Sequence, residues 1–162
     1  MAGDDVVRLI LEDHRTMEDL LRRMRSVDED RAGALREFAG LLVAHAEAEE
    51  AEVYPALKRY KNVDDEEVEH GSKEHDDGNA ALLGLLETDL ADAEAWDEAL
   101  EDLSEAVTHH LDEEERSLLN DARENVSDER REALGRAFRE RRAELLKADC
   151  GSVDNVRRLV KG

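Results

Sequence analysis

The chain has 162 residues, the size of one domain, with 40% apolar residues to build a core and 41% charged ones. Its 44 acids against 23 bases leave a formal net charge of −21, which excludes a general nucleic-acid binder and a protein docked on anionic lipid, since both need basic faces. A single cysteine, Cys150, forms no internal disulfide, no apolar signal segment precedes Asp4 and Asp5, and no apolar run is long enough to span a membrane, so a soluble, cytoplasmic, helical protein is expected.

Four long amphipathic segments follow the 3.6-residue period. The first runs from about Asp4 to Arg25, with Val6, Val7, Ile10, His14, Met17, Leu21 and Met24 in its apolar stripe. The second runs from about Arg31 to Tyr60 through Leu35, Phe38, Leu42, His45, Glu49 and Val53. Pro55 falls late in it, removes a backbone donor and should kink the helix. The third runs from about Asp65 to Glu87 through Val68, His75, Leu82 and Leu86. The fourth runs from about Ala93 to Asn120 through Trp96, Leu100, Leu103, Val107, His110, Glu114 and Leu118. Short polar joints make successive helices antiparallel neighbours. The fold class is therefore all-α: an up-down-up-down four-helix bundle over residues 1–122 with an additional C-terminal helical segment, 123–162. That extension holds a helix from about Asp128 to Lys147, capped by Ser127 or Asp128 and ended by Cys150-Gly151, and then a shorter helix. Its net charge is +3 against −24 for residues 1–122; it reads first as a solvated helix of mixed charge, and otherwise as an element that lies against the acidic body, as part of one domain or a lid, or that offers a surface to a protein partner.

The apolar stripes carry the chemistry. Each of the four helices places one histidine in its core-facing line. Two add a glutamate one turn later: His45-x-x-x-Glu49 and His110-x-x-x-Glu114. Such a pair lies on one face, about 6 Å apart along the axis, and can ligate one metal centre. The order repeats: Asp13-His14 then His45 and Glu49-Glu50, Glu74-His75 then His110 and Glu114-Glu115. Two carboxylates aimed into one apolar core need compensation, and no lysine or arginine shares the stripes at that level. A cation is the economical partner. Imidazole and carboxylate without thiolate suit iron, manganese or zinc. Four histidines and two bridging glutamates can serve two ions.

With these residues in order, the chain resembles the hemerythrin-like, or HHE cation-binding, domains over about residues 4–122. The resemblance rests on Asp13-His14, on His45-Ala-Glu-Ala-Glu49-Glu50 leading to Val53-Tyr54-Pro55, on Glu74-His75, and on His110-Leu-Asp-Glu-Glu114-Glu115. It implies a four-helix bundle around two iron ions with a bridging oxo or hydroxo group. The ligands would be His14, His45, Glu49, His75, His110 and Glu114, with O2, hydrogen peroxide or NO as the outside ligand. Where O2-carrying hemerythrins have a second histidine in the third helix, this chain has Asn79. Where they have an aspartate five residues after the fourth-helix histidine, it has Glu114 at plus four and Glu115 at plus five. A missing histidine leaves one iron more open and richer in oxygen ligands, which turns expectation from reversible O2 carriage toward redox chemistry. Asn79 and Glu115 remain lesser ligand candidates.

Tyr54, nine residues after His45, points away from the site on an ideal helix. It reaches the metals only if a kink or π-bulge before Pro55 turns the phenol inward. Glu50 and Glu115 are candidates to orient imidazole rings. Two histidines lie off the stripes. His70 is expected to be exposed. His109 forms its own i, i+4 pair with Glu113, but His110 aligns with Val107, Leu103 and Leu100. A ferritin-like plan needs two Glu-x-x-His motifs, and only Glu67-Val-Glu-His70 has that spacing. Two functional classes fit: a catalase- or peroxidase-like di-iron oxidoreductase, or an O2 or iron sensor or store that signals through its C-terminal helix. No catalytic acid or base is assigned, and the oligomeric state is not legible.

Overall fold

The carboxylate of Asp5 accepts a hydrogen bond from the Val7 N–H, and the first long helix, α1 (Val6–Arg25), starts there. The other helix starts in the bundle repeat this device. Asp30 caps α2 (Arg31–Ala48), Asp64 caps α4 (Asp65–Leu86) and Asp92 caps α5 (Ala93–Arg116), each accepting a backbone N–H with its side chain. An aspartate there satisfies an orphan donor and places negative charge at the positive end of the helix dipole. This computed structural model describes residues 2–161, and those residues contain helices and no strand.

Pro55 has the effect its chemistry requires. The second amphipathic segment is not one helix to Tyr60. It passes from α2 through a π-helical turn, Glu49–Val53, into the short α3 (Tyr54–Leu57). The Tyr54 N–H donates to the Glu49 carbonyl, five residues back, so an extra residue is accommodated just before the proline ring. The fourth segment, expected to be continuous to Asn120, also breaks. Ser117 donates its hydroxyl to the Glu113 carbonyl and departs from regular helical dihedrals (φ −109°, ψ −78°), and a separate helix, α6 (Leu118–Asn125), follows.

Helices α1 and α2 pack as one antiparallel hairpin and α4 and α5 as another; contacts of α1 with α5 and α2 with α4 close the ring. The expected up-down-up-down four-helix bundle results. Its core has two apolar clusters. One holds Met17, Met24, Phe38, Leu82, Trp96 and Leu103. The other holds Ile10, Val53, Leu57, Leu119, Leu134 and Phe138. The buried Trp96 indole N–H is satisfied by the Met24 carbonyl at 3.2 Å. In chain order His14, His45 and His75 fall between residues of the two clusters, and His110 lies one residue before Leu111, the last first-cluster residue of α5.

The C-terminal forty residues lie on this body. Helix α7 (Asp128–Lys147), capped by the Ser127 hydroxyl, packs on α1 and α2 and buries Phe138 completely. Gly135 permits that approach, since a Cβ there would stand 1.5 Å from the Asp4 carbonyl oxygen. Helix α8 (Val153–Lys161) packs on α4 and contributes Val156 to the core. The turn between them has its left-handed residue at Asp149, φ 55°, ahead of the Cys150-Gly151 pair from which the stop was expected. Among the described residues no helix is long and apolar enough to cross a membrane.

Candidate metal centre

The four stripe histidines and two stripe glutamates meet at mid-bundle, all buried. Each hairpin supplies two imidazoles and one carboxylate, and the contacts follow an approximate two-fold plan. Glu49 Oε1 lies 3.2 Å from His45 Nε2 in its own hairpin and 3.1 Å from His75 Nε2 in the other. Glu114 lies 3.4 Å from His110 Nε2 in its own hairpin and 3.1 Å from His14 Nε2 in the other. Each glutamate therefore spans the two hairpins.

The outward ring nitrogens obey the same plan. His45 Nδ1 donates to Asp13 at 2.7 Å, and His110 Nδ1 donates to Glu74 at 3.0 Å. The carboxylate preceding the first histidine of a hairpin thus supports the second histidine. His14 Nδ1 donates to Glu115 at 2.9 Å, and His75 Nδ1 faces Glu50 at 3.6 Å. The carboxylate following each stripe glutamate thus stands behind a histidine of the opposite hairpin. Carboxylates in this position fix the tautomer that leaves Nε2 free to ligate, and they raise the basicity of the ring.

The inward atoms form a converging set of donors. Nε2 of His14, His45 and His110, Glu49 Oε2 and Glu114 Oε1 are buried and make no hydrogen bond, although the three nitrogens stand only 3.1 to 3.4 Å from carboxylate oxygens. Buried polar atoms are rarely orphaned, and these converge. Two donor sets have all their ligand atoms within 4.8 Å of one another: Glu49, His75, His110 and Glu114, and His14, His45 and Glu114. They share Glu114. Two cations bridged by carboxylate would satisfy all these atoms at once.

A family model for the hemerythrin HHE cation-binding domain matches residues 5–122. The chain belongs to the hemerythrin HHE family. No curated protein and no solved structure matches it. The HHE motifs coincide with the converging atoms, and nitrogen and oxygen donors without thiolate suit iron.

Electrostatics in this HHE bundle reflect the concentration of carboxylate. Burial pushes His45 down, but Glu49 and Asp13 outweigh it and hold the imidazole up at about 10. His75 is likewise pushed down by burial and held up at about 9 by Glu49 and Glu50. Burial opposes ionisation of Glu114, but His110 and His14 hold it well below its ordinary value. Without metal, protons on the imidazoles compensate the carboxylates.

The π-helical turn brings Tyr54 into line with Glu49, because residues five apart align in that geometry. The Tyr54 hydroxyl donates to Glu114 at 2.5 Å and lies 3.5 Å from His75 Nε2, whose ring stacks on the phenol. Gly71 makes room for it: a Cβ there would stand 2.9 Å from the hydroxyl. Asn79 lies beside the donors, and shares a cavity of about 20 Å³ with His75 and His110; its Oδ1 is buried without a partner. That cavity has room for one water. Glu115 turns to the far side of His14, where it also meets Arg15, and does not enter either donor set.

A wider cavity of about 650 Å³ opens beside α4 and α5, and reaches His110 and Glu114 past Glu67, His70, Glu74 and Glu113. Burial and neighbouring Asp121 push Glu67 up to about 7. The support residues Asp13 and Glu74 escaped the sequence reading as site residues, although each had marked a motif as the neighbour of a stripe histidine. Arg142 was also missed. Its guanidinium, on α7, donates to the second oxygen of Asp13.

Proposed function

We propose that the bundle holds two iron ions with a bridging oxo or hydroxo group and turns over hydrogen peroxide. The observation that carries this reading is the pair of donor sets sharing Glu114, orphaned on the inside and supported on the outside. His14 and His45 would hold one ion and His75 and His110 the other, with Glu49 and Glu114 between them. Bound iron supplies two-electron redox capacity and Lewis acidity.

The residues of the chain do the rest. Asp13, Glu74 and Glu115 hold three imidazoles in the ligating tautomer. Tyr54 donates a hydrogen bond to Glu114 and fixes that carboxylate; burial and the neighbouring carboxylates hold the phenol proton on, so its oxygen would ligate only where a bound cation displaces that proton. The acidic cavity walls repel anions and admit a small neutral molecule such as hydrogen peroxide. Glu67, near 7, is about half protonated at neutral pH and so can both hold and release a proton on that wall.

Oxygen evolution tests the reading. Iron-loaded protein given hydrogen peroxide should release one O2 for every two peroxides consumed, and His45→Ala should abolish it. Iron-loaded protein that consumes no peroxide leaves the second reading, an O2 or iron sensor. One contact favours that alternative: Arg142 ties α7 to Asp13 and so to His45, giving a C-terminal element a direct link to the centre.

A further inference from the structure

The approximate two-fold plan fails at one place. Asp13 and Glu74 play the same part, each supporting the second histidine of its hairpin with one carboxylate oxygen. The other oxygen of Asp13 is met by the Arg142 guanidinium. The other oxygen of Glu74 meets no guanidinium or ammonium among the described residues. Instead it faces two imidazoles, His109 Nε2 at 3.1 Å and His70 Nε2 at 3.4 Å. A second carboxylate, Glu113, closes the group, 2.9 Å from His70 Nε2 and 3.2 Å from His109 Nε2. Where the first hairpin has a fixed positive charge, the second has converging donors.

These residues are two i, i+4 pairs on facing helices, His70-x-x-x-Glu74 on α4 and His109-x-x-x-Glu113 on α5. One ligand atom from each lies within 4.8 Å of all the others. In a tetrahedral site with bonds of 2.0–2.1 Å, neighbouring donor atoms stand about 3.3 Å apart. The four histidine–carboxylate separations, 2.9 to 3.4 Å, bracket that spacing. Hydrogen bonding alone accounts for the group poorly. Each Nε2 confronts two carboxylates, and a neutral imidazole carries one N–H. Two carboxylates with two neutral imidazoles match a divalent ion in charge. The histidine side chains are 53% and 60% exposed and Glu74 only 9%, so the group runs from solvent to the back of His110.

We propose that His70, Glu74, His109 and Glu113 form a third cation site, separate from the central pair, that takes a divalent transition-metal ion such as Zn²⁺ or Fe²⁺. It stands on the wall of the cavity that leads to the centre, and it shares Glu74 with the support of His110. Its geometry does not depend on the central site holding iron.

The test uses the full chain, isolated with its iron and titrated with Zn²⁺ alone by calorimetry, with metal content measured after dialysis. The expected result is about one Zn²⁺ per chain in addition to iron, with affinity lowered more than about 100-fold in the His70→Ala/His109→Ala double variant. The iron content and visible spectrum of that variant should match those of the parent, because neither side chain enters the central donor sets. Glu113→Gln, which keeps the size of the side chain, should weaken Zn²⁺ binding in the same direction. Equal Zn²⁺ binding by parent and both variants, or none by the parent, overturns the proposal. Zn²⁺ binding that depends on His70 and His109 in protein lacking stoichiometric iron upholds this site and instead overturns the di-iron reading.

Discussion

Glu114 is the residue on which the two halves of the centre depend. It is buried, it faces His14 and His110 with its two oxygens, and it accepts a hydrogen bond from the Tyr54 hydroxyl. Truncating it leaves two donor sets incomplete and a buried phenol unpaired. On the di-iron reading, Glu114→Ala should therefore lose both metal ions together, where His14→Ala should affect mainly one; iron per chain measured on purified protein separates the two patterns. Tyr54→Phe removes only the hydroxyl. Losing its hydrogen bond to Glu114 should cost about 1 kcal/mol of stability in metal-free protein, read by urea titration. If the phenolate ligates iron, the same variant loses a visible charge-transfer band; a spectrum identical to the parent removes Tyr54 from the ligand set. The stripe histidines and glutamates were legible in the sequence as core-facing residues because the 3.6-residue period sets them in line with apolar neighbours. Asp13 and Glu74 were less so, because 44 acids make any single carboxylate unremarkable, and because each supports a histidine on another helix.

At the scale of elements, the interrupted second helix and the C-terminal α7 decide how the centre is built. The proline made a kink legible, and the π-helical turn that results is what turns Tyr54 inward. The break at Ser117 had no such mark: no glycine or proline signals it, and it depends on a side-chain hydroxyl bonding back to Glu113. Helix α7 was legible as a helix from its cap and period, but its contacts were not. It has two roles that mutation can separate. Phe138 is fully buried and packs edge-on against His45, so Phe138→Ala should cost about 3–5 kcal/mol, measured by thermal or urea unfolding. Arg142 sits nearer the surface and pairs with Asp13 behind His45. Arg142→Ala should leave α7 in place while lowering iron affinity about tenfold, measured by competition with a chelator, and Arg142→Lys should restore part of it. Unchanged affinity in Arg142→Ala would show that α7 only covers the bundle. Removing residues 123–162 outright cannot make that distinction, because Phe138, Cys150 and Val156 belong to the core.

For the whole molecule, the centre sets how stability responds to pH. In metal-free protein His45 is held up at about 10 and His75 at about 9, against an ordinary value of 6.5. The folded state thus keeps protons that the unfolded chain releases. Their contribution is complete below pH 6.5 and is lost as pH rises through 9 to 10. Glu114 works in the opposite sense: held well below its ordinary 4.5, it stabilises above that pH, and the contribution is lost as pH falls. Metal-free protein should therefore show its highest Tm between about pH 4.5 and 6.5 and a falling Tm toward pH 10. On the di-iron reading, iron would displace the imidazole protons, so iron-loaded protein should keep its Tm at pH 9, and the gap between the two forms should widen with pH. A metal-free Tm that climbs from pH 6.5 to 10 contradicts the compensation of carboxylates by imidazole protons. The bundle architecture itself was legible from four stripes and three short joints.

The most direct test of the di-iron reading is iron per chain, measured with the visible spectrum on protein purified from iron-replete cells. About two irons with oxo-to-iron absorption is the predicted result, and Glu114→Ala should lose both. A chain that takes up no stoichiometric iron under those conditions contradicts it, and leaves the buried histidines and glutamates as a proton-compensated core.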